Sequence, residues 1–183
     1  SQLDLAITGN LYTGSSKTQI YLNENGILNV DNSQPQMANV YGGHLSFVDY
    51  NNDGFLDISM SGLRTTNFIS TSLILLYKWG NGQYILDEGQ NQITSINGYF
   101  GGQYNHDWGD YDNDGDLDLV TGGINLIEDV PYGIHLSVFK NENGTFSLDT
   151  MQTDLIPLFP CAVVWIDINR DNYTDLLSLG RLE

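Results

Sequence analysis

Apolar residues along this chain fall in short runs bounded by Gly, Asn and Asp, and nowhere recur at helical spacing. That pattern predicts strands rather than amphipathic helices. "HLSFVDY" (44–50), "LDISMSG" (56–62), "SLILLYKW" (72–79) and "QYILDE" (83–88) read as four successive strands, A to D. Asn81-Gly82 separates the last two and predicts a two-residue hairpin, because both central positions need positive φ.

The same order returns along the chain. Asp-rich stretches "DYNNDGFLD" (49–57), "DYDNDGDLD" (110–118) and "DINRDNYTD" (167–175) align with one another. Two residues before each stands an aromatic: Phe47, Trp108 and Trp165. Tyr21, Tyr77 and Phe139 are each followed by Asn-Gly four and five residues on, and by Asp ten residues on. "LDLAITG" at the start matches the residues that leave the Asp-rich loops, with Asp4 in the column of Asp57, Asp118 and Asp175. Complete A–D units are therefore expected at 43–88 and 103–150. Strands B–D of an earlier unit are expected within 1–31, and strands A and B of a later one within 161–183. Four-stranded units repeated along a chain predict β-propeller blades, about three here, with the Phe47/Trp108/Trp165 column filling the space between them. Asp4 would be the ninth position of a loop whose first eight are missing. The chain thus reads as a single β-propeller segment of a larger propeller, or one whose copies complete a ring.

Like charges so close together repel unless a cation lies between them. The loops offer oxygens at positions 1, 3 and 5, a bend at 6, a backbone carbonyl at 7 and a fixed aspartate at 9. An all-oxygen set of that number suits calcium before magnesium or zinc. An EF-hand needs a bidentate Glu at position 12, where Met60, Thr121 and Ser178 stand, and it needs flanking helices.

Composition narrows the partners. With 23 acids against 6 bases and a net charge of −17, the chain has no basic face for nucleic acid or an anionic membrane. No apolar run is long enough to insert in a membrane. The one cysteine, Cys161, excludes an intrachain disulfide and reads as a buried thiol in an apolar run.

The D-x-[DN]-x-[DN]-G-x-[LIV]-D loop between strands resembles the FG-GAP/VCBS repeat family, which includes the calcium-bearing blades of integrin-like propellers. The resemblance covers nearly the whole chain as repeats. It implies about three Ca²⁺ ions with these ligands: Asp49, Asn51, Asp53, Phe55 (backbone) and Asp57 in the first loop. In the second they are Asp110, Asp112, Asp114, Asp116 (backbone) and Asp118. In the third they are Asp167, Asn169, Asp171, Tyr173 (backbone) and Asp175. The third loop departs from the pattern, with Asn172 in place of glycine, Thr174 in place of the aliphatic residue, and Arg170 adding a positive charge. By carboxylate count the second loop should bind most tightly and the third least.

Calcium loops in extracellular modules bind in a range of roughly 10⁻⁴–10⁻³ M, so the expected setting is outside the cell or in the secretory lumen. The expected role is recognition or adhesion toward a protein or glycan, through the variable B–C loops "LRTTNFISTS" and "INLIEDVPYG". The expected metal is structural, and the chain is not expected to be an enzyme. Two alternatives are an architectural subunit of a large assembly and a part of a polysaccharide-acting enzyme. For the last, His106 is the best catalytic candidate among His44, His106 and His135, although a structural role suits it better.

Overall fold

Asn25-Gly26, Asn81-Gly82 and Asn143-Gly144 take positive φ at both residues: 55° and 87°, 54° and 81°, 52° and 81°. This is the turn whose twist matches the antiparallel strands it joins, and each pair closes a hairpin as the sequence predicts. The computed structural model describes residues 4–12, 14–66, 69–90, 93, 105–125 and 133–181. Asn67 and Phe68, residues 126–132 and the approach to the second full unit (94–104) lie outside that set, as does the side chain of Cys161. The rest of the first expected B–C loop, 63–66 and 69–72, is paired antiparallel strand instead of loop.

The described residues form thirteen strands in four antiparallel sheets. The first sheet holds β1 (Leu5–Asn10), β2 (Ser16–Glu24) and β3 (Ile27–Val30). The second holds β4 (Leu45–Val48), β5 (Asp57–Thr66), β6 (Ile69–Gly80) and β7 (Gln83–Leu86). The third holds β8 (Asn105–Gly109), β9 (Asp118–Asn125), β10 (Gly133–Glu142) and β11 (Thr145–Leu148). The fourth pairs β12 (Phe159–Ile166) with β13 (Asp175–Arg181). Every sheet is a meander in chain order. The Asp-rich loops and Asn-Gly hairpins therefore share one end of each sheet, and the B–C connections leave from the other.

Alternation along the strands places one core between each pair of successive sheets. Leu75 and Tyr77 of β6 pack with Ile20, Met37 and Val40 toward the first sheet. Ile74 and Leu76, one residue out of phase, pack with Leu119, Phe139 and Phe146 toward the third. Val120 and Val138 meet Val163 of the fourth. The two middle sheets are thus apolar on both faces, unlike an antiparallel sheet with one wet side. Ile58 and Met60 on β5 are fully buried, whereas their repeat counterparts Leu5 and Ile7 on β1 are 41% and 43% exposed.

The aromatic column fills these interfaces unevenly. Trp108 packs on the second core and donates Nε1–H to Ser59 Oγ at 2.9 Å. Trp165 packs on the third core, and a Cβ at Gly109 would lie 2.8 Å from its side chain. Only glycine admits that approach. Phe47 remains 37% exposed, with its ring 6.5 Å from that of Tyr84.

A polar fastening accompanies each core. After β3, β7 and β11 comes Asp-x-x-Gln: Asp31 to Gln34, Asp87 to Gln90, and Asp149 to Gln152. In each the Gln Nε2 donates to the Asp Oδ2, at 2.8, 3.2 and 2.9 Å. Gln90 also donates to Gly144 O at 2.7 Å, and Gln34 accepts from Tyr84 N at 3.0 Å. The first two turns so hold the Asn-Gly hairpin of the following sheet.

Candidate metal centre

The three Asp-rich loops share one hydrogen-bond pattern despite their different sequences. The first aspartate accepts two amides: Asp49 from Asp53 N (3.1 Å) and Gly54 N (3.0 Å). Asp110 accepts from Asp114 N and Gly115 N, both at 3.0 Å, and Asp167 from Asp171 N (3.2 Å) and Asn172 N (3.0 Å), with Arg170 N as a third donor at 2.6 Å. The third residue accepts the same amide as the first, at 3.0, 3.3 and 2.8 Å for Asn51, Asp112 and Asn169. The fifth accepts the amide of the seventh, at 2.9, 3.0 and 2.9 Å. The first and third side chains therefore converge on one amide, that of the fifth residue, while the fifth turns to the amide of the seventh. Phe55, Asp116 and Tyr173, expected to offer carbonyls, are the donors in those last bonds.

Two positions in each loop bend left-handed. Asn172 takes the sixth position at φ 69°, where Gly54 and Gly115 have 85° and 96°, so asparagine keeps the bend as expected. The fourth position is left-handed too, at 56° in Asn52, 59° in Asn113 and 65° in Arg170. Asparagine suits that conformation and arginine does not, which makes the third loop the more strained.

The ninth aspartate is the anchor. Asp57 and Asp118 are fully buried. Asp57 Oδ1 accepts from Trp79 N and Asp118 Oδ1 from Asn141 N, both at 2.8 Å, tying the loop to strand C of its own sheet. Asp4 does the same toward Asn23 N at 2.9 Å. Asp118 Oδ2 accepts from Tyr111 N at 3.2 Å, and Asp175 Oδ2 from Ile168 N at 3.0 Å. Asp57 Oδ2 is buried without a hydrogen-bond partner, since the Tyr50 amide favours the anion but lies outside bonding geometry. Burial pushes Asp57 up to about 6, with Asp53 and Asp49 adding to the shift and the Trp79 amide opposing it. Burial likewise pushes Asp118 up to about 6 against the amides of Asn141 and Tyr111, with Asp112 and Asp114 adding to it. These carboxylates bear a desolvation cost that nearby acids increase and that a bound cation would offset.

Asp110, Asp112 and Asp118 each bring an oxygen within 4.8 Å of the others, a grouping that could hold a metal ion. Oxygen donors and the orphaned Asp57 Oδ2 suit a hard cation. The loops also touch one another. Asn52 Nδ2 donates to Asp116 Oδ1 at 2.6 Å, and Thr174 Oγ1 donates to Asp110 O at 3.1 Å. Asn141, fully buried, donates to Tyr50 O (2.7 Å) and Leu117 O (2.9 Å), so it braces the first loop against the second.

Several participants escaped the sequence reading. Tyr50 and Tyr111, second in their loops, donate to Asp87 (2.8 Å) and Asp149 (2.7 Å) at the end of strand D. Those acids are the aspartates that recur ten residues after Tyr77 and Phe139, a column legible in the sequence although its tyrosine partners were not. Lys140 was not singled out, yet its Nζ lies 2.5 Å from Asp112 and 3.4 Å from Asp114. His106 is fully buried between the second and third sheets, away from the loops, with Nε2 2.7 Å from Ser59 Oγ and Nδ1 3.0 Å from Ser61 Oγ. Among the described residues no helix is long and apolar enough to cross a membrane. Set against known proteins, the chain matches no family model and no curated protein.

Proposed function

We propose that the four sheets are blades, whole or partial, of a calcium-stapled β-propeller of the FG-GAP/VCBS kind. Its role is recognition or adhesion outside the cell. The observation that carries the metal part is the loop hydrogen-bond pattern repeated three times, with a buried ninth aspartate bound to strand C in the first two loops. The residues that would hold the ions are the side chains at positions 1, 3, 5 and 9. A bound dication would supply charge compensation and cross-linking of the A–B connection to strand C. No catalytic role is assigned to it, because a coordination shell filled by protein oxygens leaves little room for a substrate or an activated water.

The recognition part is supported by the division of labour between the two ends. Metal loops and Asn-Gly hairpins fasten one end, leaving the B–C connections at the other to vary without disturbing the fastening. Further sheets of the same kind, from the rest of a propeller or from another copy, would suit the exposed apolar faces of β1 and β13. Leu177 and Leu179 are 53% and 71% exposed there.

Calorimetric titration of the chelator-treated protein tests the metal reading first. It should show uptake of about three Ca²⁺ per chain, with little response to Mg²⁺ at equal concentration, and absence of uptake would end the reading. A glycan array and pull-downs with B–C loop variants then test recognition. Loss of partner binding without loss of calcium uptake is the expected result.

A further inference from the structure

We propose that Lys140 takes the cation's place in the second loop and competes there with a divalent ion, an inference that rests on the calcium-loop reading above. Lys140 lies on β10, immediately before Asn141. In the second loop Asp112 Oδ1 and Asp114 Oδ1 are already engaged, accepting the amides of Asp114 and Asp116. The oxygens left free to meet a cation are the two Oδ2 atoms, and the Lys140 ammonium sits on both, at 2.5 and 3.4 Å.

The repeats show that this placement is a choice. Lys78 occupies the same column of the preceding sheet, directly after Tyr77 as Lys140 follows Phe139. Its Nζ turns away from the first loop to Asp87 Oδ1, at 3.5 Å. Asp149 is the counterpart of Asp87 beside Lys140, so Lys140 has a second carboxylate to accept it once displaced. The difference follows from the loops. The first carries neutral Asn51 at position 3, where the second carries Asp112, and the extra charge draws the lysine in. The third column member, Leu22, shows that an apolar residue fits this site.

Two consequences follow. The second loop binds calcium more weakly than its four ligand carboxylates would otherwise allow, because the ion must displace a tethered ammonium. It also stays ordered when calcium is withdrawn, because the lysine neutralises the repulsion between Asp112 and Asp114.

The test compares the whole chain with Lys140→Met, and with Lys140→Gln should the first variant fold poorly. Calcium is titrated by calorimetry, and hydrogen exchange of 49–57 and 110–118 is followed in chelator. Removing the charge should tighten calcium binding at the second loop about tenfold and leave the first loop within about twofold. It should also raise exchange across 110–118 in chelator. Adding Asp112→Asn should remove most of the gain. Unchanged or weaker affinity in a variant whose calcium-bound melting temperature is normal would overturn the competition and leave the metal reading standing. If neither protein takes up calcium, both fall together.

Discussion

His106 replaces an apolar residue in a packing column. Leu45 and Val163 stand at the equivalent positions of β4 and β12 and join the cores there. On β5 the facing residues are Ser59 and Ser61, which accommodate the imidazole. Trp108 Nε1–H needs Ser59 Oγ as its acceptor, so the Ser59 hydroxyl hydrogen goes to His106 Nε2 and the ring proton sits on Nδ1. The ring is neutral. Burial holds it down to about 3, and His44, 4.9 Å away between ring centroids, pushes the same way. An unfolded histidine titrates near 6.5, so below that pH the unfolded chain binds the proton that the folded chain refuses. Stability from this group is complete above pH 6.5 and is lost as pH falls toward 3. Between pH 7 and pH 5 the loss is about 2 kcal/mol. Urea unfolding across that range in saturating calcium should show this slope in the native protein and a shallower one in His106→Gln. Equal slopes would mean that the ring is charged or exposed.

Asn141 is the other residue on which much converges. It donates to carbonyls of two loops, accepts from Gly144 N at 2.8 Å, and gives its own amide to Asp118. Asn141→Ala leaves two buried carbonyls unpaired and should cost about 2–4 kcal/mol. Asn141→Asp should cost more, since its oxygens cannot donate to those carbonyls. A chemical-denaturation loss under about 1 kcal/mol for both would mean that water replaces the side chain.

Among the elements, the loops and hairpins were legible for a local reason. Asn-Gly and Asp-x-Asn-x-Asp-Gly carry their backbone demands in adjacent residues, and the strands between them alternate at period two. Hence the strands of both four-stranded sheets lie within 43–88 and 103–150 and those of the first sheet within 1–31, whereas β12 begins at Phe159, two residues before the expected 161–183. What could not be read is set by partners distant in sequence. Ser59 lies 47 residues from His106, and Lys140 enters the second loop only through the pairing of β10 with β9. Arg170, adjacent to the third loop's ligands, was the cation that drew attention, whereas its structural mark is a left-handed φ of 65°. Replacing Arg170 with Gly should therefore stabilise the third loop by roughly 0.5–1 kcal/mol. A stability loss in thermal melts would show instead that the side chain makes a needed contact.

At the scale of the molecule, sheets stack in sequence through apolar faces, and the polar fastenings lie along one end. Asp-x-x-Gln turns grip the next hairpin, Asn52 and Thr174 link neighbouring loops, and buried aspartates tie the first two loops to their own strand C. These fastenings surround carboxylates that repel one another, in a chain of net charge −17. An ion that binds only the folded state stabilises it in proportion to its occupancy. The middle sheets, which carry two of the loops, should respond as one cooperative block.

The central claim is that these loops are folded around calcium, and the melting temperature in chelator against that in millimolar calcium tests it most directly. Ten degrees or more of stabilisation is expected with calcium, on the order of 2–4 kcal/mol, with magnesium giving little of it. Identical melting temperatures in chelator and in calcium would contradict the account and leave the loops as acidic turns closed by their own amides.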